Sequence, residues 1–186
     1  LRLFDAVVTP TMLYGCEAWT LKADQQRRLK STQRKMLRMV LNAKRRVVTS
    51  SSSSNCASAS EENDADELEP WPAFLKRTAQ WTDEQLEKAS LRQWLVEWRR
   101  RKWQWASRLL DPDSQRWSTV ATKWQPLIHS SSVCGRRQAR PRKRWDQDFV
   151  EYLTAVWPDV GSTWQQLACD TEWWDSQCAA FSTYGT

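Results

Sequence analysis

The sequence predicts a mainly α-helical protein, with two helical segments joined by a disordered Ser-rich and acidic linker. Three observations predict it. Glycine is scarce, four among 186 residues, while Leu, Arg, Gln, Glu and fourteen Trp favour helices over a turn-rich β fold. Apolar residues recur at spacings of three, four and seven through most of the chain. Between residues 49 and 69 that periodicity stops, and a run of Ser gives way to a run of acids with little to bury. The expected division is a basic helical segment over 1–46, a linker over 47–70 and a Trp-rich helical region over 71–186.

The elements follow in order. Leu1 to Val8 reads as a helix with Leu1, Phe4, Val7 and Val8 on one face, which Pro10 ends or kinks. The chain starts inside this pattern, at Leu1, and is expected to be a piece of something longer. After a short apolar stretch, a helix from about Lys22 to Asn42 carries Leu29, Met36, Leu37, Val40 and Leu41 on one stripe. Its other faces hold Arg27, Arg28, Lys30, Arg34, Lys35 and Arg38, and Lys44, Arg45 and Arg46 follow its end.

Beyond the linker, Thr82-Asp83-Glu84-Gln85 matches a capping box with Thr82 as N-cap. The helix it opens carries Leu86, Leu91, Trp94, Leu95, Trp98, Trp105 and Leu109, and Asp111-Pro112-Asp113 stops it. A shorter helix with Trp117, Val120 and Trp124 follows, then a loop from His129 to Gln138. Arg144 to Val156 reads as a helix with Trp145, Phe149, Tyr152, Leu153 and Val156 on its apolar side. The tail from Ser162 to Phe181 holds one or two short helices with Trp164, Leu167, Ala168, Trp174 and Phe181 inward. No period-2 run is long enough to predict a strand.

Charge is arranged in blocks. Residues 1–46 carry eleven cations against three acids, 71–110 nine against four, and 111–145 eight against two. Residues 47–70 carry six acids and 146–186 seven, neither with a cation. Three basic blocks fit a polyanion, most simply nucleic acid, although Lys and Arg also serve to solvate helix faces. The densest run is Arg136 to Trp145, where guanidinium groups fork onto phosphates and Trp stacks on bases. Its cations repel one another, so either an anionic partner or the acidic 146–186 tail is expected to neutralise them. Trp94, Trp98 and Trp105 share a stripe and read as core. Trp103 falls off that stripe beside Lys102 and is the candidate for stacking on a base.

Several chemistries find no support. There is no Gly-rich phosphate loop, and the single His129 stands without a partner. His129, Cys134, Cys169 and Cys178 do not have zinc-ligand spacing. Asp146, Asp148 and Glu151 cluster at helical spacing, as first-turn acids favoured by the helix dipole rather than as a two-metal site. Five unpaired-looking cysteines predict free thiols. No stretch reaches the roughly 18 apolar residues of a membrane span and no signal peptide is present, so a cytoplasmic or nuclear, non-secreted protein is expected.

Three segments carry a family resemblance. Leu13-Tyr14-Gly15-Cys16-Glu17-Ala18-Trp19-Thr20-Leu21, followed by the basic helix through Met36-Leu37-Arg38, resembles the segment just after the palm in non-LTR (LINE-type) retrotransposon reverse transcriptases. Arg140-Pro141-Arg142-Lys143-Arg144-Trp145 with Asp148 is similar to that family's C-terminal Gly-Arg-Pro…Arg-Trp…Asp-Asp pattern, and Leu167-Ala168-Cys169-Asp170 with Trp173 or Trp174 to its closing element. Ala139, Gln147 and Thr171 depart from the pattern.

The resemblance implies a helical thumb and connector, without the catalytic aspartates, which lie upstream in that family. The chain is then a non-catalytic fragment of an RNA-directed DNA polymerase, inactive alone. It needs no cofactor of its own, while the parent polymerase would use Mg. Its partners would be RNA or an RNA–DNA hybrid and the upstream fingers and palm. Arg27, Arg28, Arg34, Lys35 and Arg38 would grip the hybrid, with Lys44, Arg45 and Arg46 beside them. Arg140, Arg142, Lys143 and Arg144 would touch template RNA. The alternatives are a helical protein-interaction module that masks its own basic run with the acidic tail, and a non-functional retroelement remnant.

Overall fold

A computed structural model describes residues 1–48, 67–110, 117, 120, 143–158 and 163–185. The chain is mainly α-helical. Most of the expected linker (49–66), the His129 to Gln138 loop and the cationic run as far as Arg142 lie outside the described residues.

The first helical turns, Phe4–Val8, are of the wide π type, and α1 (Thr9–Met12) continues them. Pro10, expected to end or kink the helix, does not end it: the turns run on to Met12, and the wide π turns stand just before the proline. It lies inside a continuous helical stretch, where a proline lacks the N–H that a regular turn would use. Phe4 is buried but Val7 is exposed, so the apolar face is narrower than the spacing suggested. Gly15 then takes φ 62°, a left-handed conformation open to Gly at little cost, and turns the chain into a 3-10 turn at Cys16–Ala18. Leu13 and Cys16 are fully buried beside it.

Helix α2 (Ala23–Val40) starts with the Lys22 N–H donating to Gln25 Oε1 at 2.8 Å. It ends at Asn42, which has φ 51°, and the Ala43 N–H reaches back to the Arg38 carbonyl. Leu37 is buried and Leu29 and Met36 pack beside it. Val40, expected on this stripe, is exposed because the helix ends there. The buried polar residue on the inner face is Gln33.

A two-residue antiparallel ribbon follows, β1 (Val47–Val48) against β2 (Glu67–Leu68). Neither strand is expected from the sequence, since alternation cannot show itself in two residues. The ribbon and residues 69–70, which fall within the expected linker bounds of 47–70, are hydrogen-bonded in the described structure.

Helix α3 (Trp71–Lys88) begins eleven residues before the expected N-cap at Thr82. Pro72 sits in its first turn. Phe74, Thr78, Thr82 and Leu86 form its buried line at i, i+4 spacing. Thr82 is an interior residue whose hydroxyl donates to the Ala79 carbonyl at 2.9 Å, and the Thr78 hydroxyl donates to Phe74 O at 2.7 Å. The capping-box spacing was thus a coincidence of composition. Ser90, at φ 50°, breaks what was expected to be one helix, and α4 (Trp94–Leu109) begins anew.

The C-terminal elements are α5 (Gln147–Val156), α6 (Trp164–Leu167) and α7 (Thr171–Thr183). Asp170 caps α7 by accepting from the Trp173 N–H at 3.1 Å. Trp164, Ala168, Trp174 and Phe181 face inward as expected, whereas Val156 is exposed.

Two buried clusters result. One joins Phe4, Leu13, Cys16, Leu37, Leu86, Trp94, Leu95 and Trp98. The other joins Trp103, Ala106, Leu110, Phe149, Tyr152, Leu153, Trp164, Ala168, Trp174 and Phe181. Helix α4 supplies the early half of its length to the first and the later half to the second. The segment before the linker therefore shares a core with the helices after it. Gln33 fastens that junction, accepting from the Trp94 N–H at 3.0 Å and donating to Arg92 O at 2.9 Å.

Candidate nucleic-acid interface

The apolar line of α2 turns inward through Leu29, Gln33 and Leu37, so the helical period turns Arg27, Arg28, Ser31 and Lys35 outward. All four are exposed. Arg27 pairs with exposed Asp24 one turn earlier, a contact of little energetic weight. Arg28 and Lys35, two turns apart on the same face, have no ion-pair partner among the described residues. Arg38 is half-buried, and its pKa is lowered first by that burial and then by neighbouring Arg34.

The other predicted cations fare differently. Arg34 leans onto Asp83 of α3, with its Nε at 3.0 Å, and so ties two helices together. Lys44 is exposed. Arg45 folds back to donate to the Glu69 carbonyl and lies 6.0 Å over the Trp71 ring. Arg46 is exposed, while its backbone N–H donates to Glu69 Oε2 at 3.3 Å. Glu69 also takes Arg77 bidentately, at 3.0 and 2.7 Å. The hydrogen bonds from Arg77 hold the Glu69 carboxyl well below its ordinary range, at about 2. The ribbon is thus pinned to α3 by the Glu69–Arg77 ion pair and by Arg45 on the Glu69 carbonyl, which leaves Lys44 and Arg46 facing water.

The second predicted patch is only partly described, since Arg140 and Arg142 lie outside it. Lys143 pairs with Asp148 and donates to the Leu21 carbonyl at 3.3 Å. Arg144 pairs with Asp146 at 3.3 Å. Trp145 donates from its indole to the Glu17 carbonyl at 2.7 Å. Residues 143–145 of the second motif therefore touch the first motif at Glu17 and Leu21. Lys143 and Arg144 sit in internal ion pairs rather than standing free.

Asp148 has a role that helical spacing alone did not reveal. It accepts from Lys102, whose ammonium is fully buried on α4. The rings of Trp98, Trp145 and Phe149 stand 5.3–5.4 Å from that ammonium. Burial lowers the Lys102 pKa and Asp148 works against that. The only hint in the sequence is a Lys lying on the apolar stripe of α4, four residues from Trp98.

Trp103, expected as an exposed stacking platform, is instead fully buried. It stacks on Trp174 with centroids 3.7 Å apart and planes 7° from parallel. Each indole donates to the other residue's carbonyl, at 2.7 and 2.9 Å. The stripe reading failed here because α4 meets two clusters at different angles along its length. Trp105, expected in the core with Trp94 and Trp98, is half-buried at the edge of that face.

Among the described residues no group of His, Cys, Asp or Glu is placed to hold a metal ion, and no helix is long and apolar enough to cross a membrane. No family model, curated protein or solved structure matches the chain.

Proposed function

We propose that the chain is a non-catalytic part of a non-LTR retrotransposon reverse transcriptase, and that the outer face of α2 grips the phosphate backbone of RNA or an RNA–DNA hybrid. One observation carries the reading. Arg28, Lys35 and Lys44 are exposed with no ion-pair partner among the described residues, and Arg27, Arg38 and Arg46 lie beside them. The helical rise sets Arg28 and Lys35 about 10 Å apart, a spacing for separate phosphates rather than for one small anion. The resemblance of residues 13–38 to the segment after a palm supplies the context. In such a polymerase the Mg ions belong to aspartates upstream of that segment, so this chain's part is to hold the nucleic acid.

Filter binding of an RNA–DNA hybrid tests the reading. Backbone contacts release counterions, so about four contacts give a roughly hundredfold loss of affinity between about 50 and 200 mM salt. Arg28→Glu with Lys35→Glu is expected to weaken binding and flatten the salt slope. Weak binding without a salt slope rejects the reading.

A second reading has its own observation. Asp146 and Asp148, which begin the acidic C-terminal stretch, neutralise Arg144, Lys143 and Lys102. This supports a module that masks its own cationic run and meets a protein partner. Deleting 146–186 cannot test it, since that removes Phe149, Trp164 and Trp174 from the core. Asp146→Asn can, because it removes the charge paired with Arg144 and keeps an oxygen to accept from the Trp164 indole. Masking predicts severalfold tighter RNA binding; unchanged binding rejects it.

A further inference from the structure

Helix α4 has a second face that the α2 reading does not use. Glu97, Arg100, Arg101, Gln104 and Arg108 recur at three- and four-residue spacing, opposite the line that buries Trp98, Lys102 and Ala106. With Arg92, Glu17 and half-buried Trp105 they line an open surface cleft of about 470 Å³. That volume falls within the roughly 300–1,000 Å³ of small-ligand sites.

The cleft is built around a buried acid. The side chain of Glu97 is only 5 % exposed. Its two oxygens take Nε and NH2 of Arg100, each at 2.9 Å, and Nε of Arg101 at 2.8 Å. Arg92 approaches the same carboxylate at 4.0 Å and is held from behind by Asp5, with Nε at 3.2 Å. Each guanidinium has five N–H donors, and Arg100 spends two of them on Glu97. Arg108 is exposed and has no ion-pair partner among the described residues. Four arginines against Glu17, Glu97 and the Asp5 behind Arg92 leave the cleft cationic, with the guanidinium groups of Arg92, Arg100 and Arg101 held in place before any ligand arrives.

We propose that this cleft binds a single nucleotide unit of an unpaired RNA strand, its phosphate on Arg100 and Arg108 and its base on Trp105. Forked guanidinium donors match phosphate oxygens, and an indole at the edge of the same cleft offers a flat face to an unstacked base. The Gln104 amide, on the same wall, has both a donor and an acceptor for a base edge. A duplex presents no free base, so the cleft distinguishes single strands from the hybrid that α2 takes. The two sites are on different helices and can fail separately.

Fluorescence anisotropy on the full chain, with a labelled ten-nucleotide oligouridine and with an RNA–DNA hybrid in parallel, tests it. Arg108→Glu and Trp105→Ala are each expected to weaken oligouridine binding about tenfold and to leave hybrid binding within about twofold. Arg108 is exposed, so its variant keeps the test valid if Trp105→Ala disturbs folding, which circular dichroism reports. Oligouridine binding unchanged in Arg108→Glu overturns the proposal. So does equal weakening of both nucleic acids, which would reveal bulk charge alone. Competition by polyglutamate but not by uridine monophosphate overturns it in favour of an acidic protein partner. Loss of hybrid binding in the natural chain, with oligouridine binding intact, would instead remove the α2 reading and leave the cleft.

Discussion

Lys102 shows how much a single residue's context decides. A fully buried ammonium is costly unless it is paired, and here Asp148 and three aromatic rings surround it. Removing the carboxylate strands the charge, so Asp148→Ala is expected to cost about 3–5 kcal/mol in urea unfolding. Lys102→Met, which removes the charge itself, should cost less, because Asp148 keeps Lys143. Equal costs for the two variants would show that the pair is not what matters. Glu69 makes the complementary case for a carboxylate. Its folded pKa, about 2, lies below the ordinary value near 4.3, so the stability it contributes is fully present above that ordinary value. That stability is lost as pH falls from there towards about 2. The difference in Tm between the natural chain and Glu69→Gln should therefore be constant above about pH 5 and shrink towards zero near pH 2.

At the scale of elements, the helices show two kinds of boundary. Some are set by local chemistry: Gly15 at positive φ, Pro72 in a first turn, Asp170 as an N-cap. Others are set by packing. The break between α3 and α4 at Ser90 carries no Gly or Pro. It is held by the Leu91 N–H on the Leu86 carbonyl and by Gln33 from another helix. Each face of α2 has a distinct role, the inner one for the core and for Gln33, the outer one for solvent and, on the function proposed above, for phosphate. Charge on α4 divides the same way: Lys102 turns inward, while Arg100 and Arg101 turn outward onto Glu97.

At the scale of the whole molecule, α4 is the shared member of both clusters. The first cluster cannot come apart without disturbing the helix that buries Trp103, Ala106 and Leu110 in the second. The described part is therefore expected to unfold in one transition, with Trp fluorescence and far-ultraviolet circular dichroism superimposing in urea. Phe149→Ala, in the second cluster, should lower the midpoint seen by both probes by the same amount, with a cost of about 3–5 kcal/mol. Two separated transitions would show that the clusters are independent.

Helical character, the Trp-rich core and the blocks of charge were legible in the sequence because they rest on short-range periodicity and composition, which every helix expresses within a few turns. Trp94, Trp98, Trp174 and Phe181 were assigned inward on that basis and are buried. The exposed cations Arg28 and Lys35 of α2 follow from the same rule, since they lie opposite Leu37. What the tertiary structure decided is which side chains meet across the chain. Lys102 finds Asp148 46 residues away, Gln33 finds Trp94 61 away, and Trp103 finds Trp174 71 away. No local pattern encodes those partners, because a hydrogen bond or ion pair depends on where two helices cross. So the sequence said which segments are basic and helical, while packing decided which basic residues are consumed by internal carboxylates and which remain to meet a phosphate.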